Sequence, residues 1–75
     1  MTNMELLESA ISDSGMKMNA VAEKAGIARS TLYNRMNGIG EFTATEIVGL
    51  SKALHMTDAE RDVIFLSSGL NTVQH

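Results

Sequence analysis

Cysteine and proline are both absent from these 75 residues, and only Tyr33, Phe42 and Phe65 are aromatic. Without cysteine there is neither a disulfide framework nor thiolate zinc ligation to hold a small fold together, so a hydrophobic core must do it, with a second subunit as one available help. Without proline and with so few aromatic residues, the strand and turn signals of a β-sandwich are missing, and helices joined by glycine are expected. No apolar run is long enough to span a bilayer. No basic region followed by an apolar stretch and a small-residue cleavage site opens the sequence, so a soluble, cytoplasmic chain without a secretory signal is the expectation. A chain of this size buries only about 60% of its unfolded surface, which leaves little room for a large catalytic cleft. No internal repeat, linker or low-complexity segment divides it, and residues 1–75 are read as a single domain with a short tail at 70–75.

The formal net charge of -3 conceals an asymmetry. Glu5, Glu8 and Asp13 make the beginning acidic, and from Glu41 onward five acids (Glu41, Glu46, Asp58, Glu60, Asp62) meet only Lys52 and Arg61. Between them Lys17, Lys24, Arg29 and Arg35 face Glu23 alone, so the middle third is positive in an acidic protein.

Periodicity divides the chain into five helices. Thr2 and Glu5 have the spacing of a capping box, with Met4, Leu7 and Ile11 following at helical spacing until Gly15, which predicts a first helix over about 3–14. Val21, Ala22 and Ala25 predict a second over 18–25, ended by Gly26, with Ile27 as an anchor in the turn. Leu32 and Met36 lie on one face of a third, about 29–36, before Asn37-Gly38 stops it. Thr43 and Glu46 form another capping box, ahead of Ile47, Leu50 and Leu54, and this helix is expected to run to about His55. Thr57 and Glu60 form a third box, opening a last helix whose stop signal is Gly69. Helices two and three differ from the others in beginning at Lys17-Met18-Asn19 and Ala28-Arg29-Ser30. Neither has an acid in its first turn, so both positive dipole ends are left open to an anion.

The spacing of Ala22, Gly26 and Leu32 is that of a helix-turn-helix over about 18–36. Ala22 lets two helices cross closely, Gly26 takes a left-handed conformation, and Leu32 turns the second helix onto the core. Through GMKMNAVAEKAGIARSTLYNRMNG (Gly15 to Gly38) the sequence resembles the Cro and repressor family of phage and prophage regulators, and Glu41 to Phe65 is similar to their two closing helices. The resemblance implies an all-α, five-helix, lambda-repressor-like DNA-binding domain that regulates transcription. In that family helix three lies in the major groove of double-stranded DNA and helix two crosses the backbone. Carried over, Arg29, Ser30, Tyr33 and Asn34 become base readers, while Lys17, Arg35 and Asn37 contact phosphate. Three positions depart from the family's pattern: Met18 replaces a phosphate-gripping glutamine, Ala28 a capping serine and Arg35 an apolar residue, with Met36 taking over the core role.

Val63, Ile64, Phe65 and Leu66 are consecutive in the last helix and span about 300° of its surface at roughly 100° per residue, more than one core can cover. Val63, Phe65, Leu66 and Leu70 are therefore expected to form a homodimer interface. No Gly-rich phosphate loop, nucleophile elbow or buried acid pair is legible, so neither an enzyme, a cofactor nor a small-molecule substrate is expected. His55 and His75 stand far apart without cysteine, which argues against a metal site. His55 is expected to lie against the carbonyl end of helix four. The six methionines read as core gap-fillers. The acidic balance and the departures at Met18 and Ala28 leave a competing function, a modulator or antirepressor of the same fold that docks onto a repressor or polymerase subunit, with the antitoxin half of a toxin pair a distant third. A modulator of this kind would meet a basic partner through the acids of helices one or five.

Overall fold

The computed structural model describes residues 2–66, and every regular element among them is helical. The order is α1 (Met4–Ser14), α2 (Met18–Ala25), α3 (Arg29–Met36), α4 (Ala44–Ala53) and α5 (Asp58–Phe65). This is the all-α, five-helix architecture expected of a lambda-repressor-like domain. Among the described residues no helix is long and apolar enough to cross a membrane. Gly69, Leu70 and the tail at 70–75 lie outside the described residues.

Capping sets most of the boundaries. Thr43 and Thr57 each accept the backbone N–H of the glutamate three residues on, and Glu46 and Glu60 return the bond, so both expected boxes are formed. At α1 the expected Thr2–Glu5 box gives way to Asn3, whose side chain accepts the Leu6 N–H. The physical reason lies in the backbone: the Asn3 N–H donates to the Ile64 carbonyl at 2.6 Å, and that bond to α5 fixes where α1 begins. Helix α4 stops at Ala53, earlier than expected, because His55 takes a left-handed conformation at φ 55°. The His55 N–H then bonds the Lys52 carbonyl and the Met56 N–H the Ser51 carbonyl, a Schellman closure built without glycine. His55 thus meets the carbonyl end of α4 through its backbone, with the residue itself exposed.

The core draws on every helix: Leu7 and Ile11 from α1, Val21 and Ala22 from α2, Leu32 from α3, Leu50 from α4, Ile64 and Phe65 from α5, with Ile27 from the turn. Leu7, Val21, Leu32 and Leu50 are fully buried, each contributing about 1.5–3 kcal/mol by removal from water. Met36, Ile47 and Leu54 pack against this cluster half-buried, as do Met4, Met16, Met18 and Met56. Helix α2 packs against α3 and most heavily against α4, while α5 packs on α1 and α4. Phe65 corrects the expected interface. It is 3% exposed and meets Phe42 edge to face with ring centroids 5.5 Å apart, because the stretch 63–66 divides its four apolar residues between core and solvent. Ile64 and Phe65 turn inward; Val63 at 48% and Leu66 at 45% exposure remain outside.

Candidate nucleic-acid interface

Helices α2 and α3 are joined by Gly26 and Ile27. Gly26 has φ 73°; its N–H bonds the Glu23 carbonyl and the Ile27 N–H bonds the Ala22 carbonyl, so α2 closes in the left-handed turn that its glycine favours. Ile27 is buried immediately afterwards, which pins the turn to the core and starts α3 two residues later. Leu32, with no exposed surface, then fixes the rotation of α3 about its own axis.

That rotation decides the outward face. Arg29, Ser30, Tyr33, Asn34 and Asn37 are exposed, whereas Thr31, Arg35 and Met36 are half-buried. Positions 29 and 33, and 30 and 34, stand one helical turn apart, so all four expected base readers share one face. Tyr33 is 41% exposed, and the Arg29 guanidinium carbon lies 5.6 Å from its ring centroid, within cation–π range.

Both helix starts are as open as the sequence suggests. Neither Lys17 at α2 nor Ala28 at α3 makes a side-chain capping bond, and neither first turn holds an acid. Their leading N–H groups therefore keep the partial positive charge of a helix N-terminus. Lys17, Lys24 and Arg29 are exposed, and among the described residues the ion pairs belong to Arg35 and Arg61 instead.

Arg35 stands apart from the other residues assigned to DNA. Its Nε donates to Glu46 Oε1 at 3.3 Å and its Nη1 to the Ile39 carbonyl at 3.3 Å, which binds the end of α3 to the start of α4. Glu46 is the residue that the sequence reading missed here: its place three residues after Thr43 accounts for it as a cap and gives no hint of a partner eleven positions upstream.

A concavity lies away from this face. It is an open groove of about 520 Å³ between α1 and α5, lined among others by Leu6, Ala10, Leu54, Met56, Ala59 and Val63, and no residue of α2 or α3 contributes to it. Among the described residues no group of three His, Cys, Asp or Glu side chains is gathered to hold a metal ion.

A family model described as helix-turn-helix matches residues 10–60, more than half of the chain, from the second half of α1 into the start of α5. No curated protein matches, and no solved structure does.

Proposed function

The chain belongs to the helix-turn-helix family of DNA-binding transcriptional regulators, and from that premise we propose that it is a sequence-specific regulator of the Cro and repressor type, binding operator half-sites as a dimer. The observation that carries this reading is the outward face of α3, where Arg29, Ser30, Tyr33 and Asn34 stand together beside two helix starts free of acid. Helix α3 enters the major groove with Arg29 leading. The arginine fork takes the O6 and N7 of guanine, Ser30 donates or accepts at a neighbouring base edge, and Tyr33 and Asn34 reach bases or sugar one turn further on. Tyr33 also restricts the Arg29 side chain before DNA arrives, which lowers the ordering cost of binding. Lys17 and Asn37 flank this face and position the protein on the phosphates without choosing sequence.

Few cations are free for the backbone, and this favours a dimer. Each neutralised phosphate contributes a salt slope of about 0.9, so one module with two or three contacts binds weakly at physiological salt. Two modules on half-sites about 34 Å apart make the second engagement intramolecular. Val63, exposed on α5, and Leu66, exposed just after it, with Leu6 across the groove from Val63, supply the apolar surface for that pairing.

The test is binding to random-sequence duplex at low salt followed by salt titration. A steep, linear fall of log affinity with log salt is expected. No binding at low salt supports the competing reading instead, a modulator that docks on a basic protein through its acids; the net charge of -3 favours that alternative.

A further inference from the structure

The Arg35–Glu46 pair joins three parts of the chain through one carboxylate oxygen. Glu46 Oε1 accepts the Arg35 Nε at 3.3 Å and the Thr43 N–H at 3.0 Å, so the ion pair and the α4 capping box share an acceptor. The Arg35 Nη1 reaches the Ile39 carbonyl, and the Ile39 N–H bonds back to the Asn34 carbonyl of α3 at 2.8 Å. Gly40 lies against the same guanidinium, where a Cβ would stand 2.6 Å from Nη1. The two side chains are only 22% and 16% exposed, so their attraction is less screened than that of a surface pair.

We propose that Arg35 and Glu46 are positioning residues for base reading: together they set the direction of α3 relative to α4 and the course of the loop from Gly38 to Phe42, and Arg35 makes no phosphate contact of its own. This rests on the DNA-binding reading above. Bidentate base contacts depend on geometry far more steeply than phosphate contacts do, so a slackened α3 loses discrimination first.

The two roles for Arg35 predict opposite signs at Glu46. If the arginine gripped phosphate, Glu46 would compete with DNA for it, and Glu46→Gln would tighten binding to every duplex. If the pair positions α3, Glu46→Gln weakens binding to the preferred site. Glutamine keeps an acceptor for the Thr43 N–H, so the start of α4 survives the change.

The experiment compares wild type, Glu46→Gln and Arg35→Met on a duplex recovered from a randomised pool and on a scrambled duplex of the same composition, across a salt series. Both variants are expected to lower the ratio of the two affinities roughly tenfold with the salt slope unchanged. Loss of folded protein alone lowers both affinities equally and leaves the ratio intact, a result that overturns the proposal. Tighter binding by Glu46→Gln on both duplexes overturns it as well, as does a salt slope flattened by about one phosphate in Arg35→Met. Amide exchange without DNA is the second arm: the Ile39 N–H should exchange several-fold faster in both variants while Val21 is unchanged, and rates at Ile39 equal to wild type overturn the hold of the pair on the loop. Wild type that binds no duplex removes the DNA-binding reading and the reading role with it, and the exchange arm still decides whether the pair holds the loop.

Discussion

Gly49 of α4 lies directly against Ala25 of α2, so close that a Cβ at position 49 would overlap the Ala25 carbonyl oxygen. The contact is made by backbone on one side, which has no rotamer to give. Helix α2 hands its placement through Gly26 and Ile27 to α3, so this approach helps decide where α3 points. Gly49→Ala should therefore destabilise the domain by about 1–3 kcal/mol, as overpacking does, despite the gain of about 1 kcal/mol that alanine brings to a helix interior. A denaturant midpoint raised by the substitution would contradict the close approach.

Gly26 presents the opposite case. At φ 73° a Cβ there meets nothing within 4 Å, so any cost of substitution comes from the backbone and none from crowding. Gly26→Val should be severely destabilising, because a β-branched residue is the least tolerant of this region. Gly26→Asn should lose much less, since asparagine visits it with a small penalty. Equal melting temperatures for the two variants would mean that the turn has another conformation available.

The proposed dimer rests on the exposed apolar residues Val63 and Leu66. Val63→Glu should give a folded monomer, because Val63 faces solvent in the single chain and its replacement leaves Ile64 and Phe65 undisturbed in the core. Sedimentation of the wild type and the variant checks this. A wild type that stays monomeric at high concentration would remove the interface.

Thr57 gives the most local prediction. Thr57→Ala removes the acceptor for the Glu60 N–H at 3.1 Å and should cost about 1 kcal/mol, read as a lower thermal midpoint with the helical circular dichroism otherwise intact. No change would mean that α5 is held by its core contacts alone.

The bounds of α2 and α3 were legible because glycine or Asn-Gly ends each helix and a single apolar face, Val21-Ala22 or Leu32-Met36, dictates its orientation. The start of α1 was ambiguous because Thr2 and Asn3 are adjacent and both are able to cap; the choice rests on the bond from Asn3 to Ile64, sixty-one positions away. The end of α4 carries no glycine, so His55 as its left-handed closing residue leaves no local signal. In the run 63–66 periodicity showed a surplus of apolar surface without saying which members turn inward, and Phe65 went to the core through Phe42, a loop residue. At the site, the shared face of Arg29, Ser30, Tyr33 and Asn34 follows from helical spacing alone. The engagement of Arg35 by Glu46 does not, because it depends on the path of the loop between them.

In the proposed complex α3 reads base edges with Arg29 while Lys17 holds phosphate at the start of α2. Affinities of Arg29→Ala and Lys17→Ala for a selected duplex and a scrambled one, each across a salt series, test this most directly. Arg29→Ala should cost about 1–3 kcal/mol on the selected duplex and relax the preference at one base pair. Lys17→Ala should weaken both duplexes alike and reduce the salt slope by about one phosphate per protomer. Equal losses from Arg29→Ala on both duplexes would contradict base reading, and no loss from either variant would mean that this face of α3 meets a protein and not a groove.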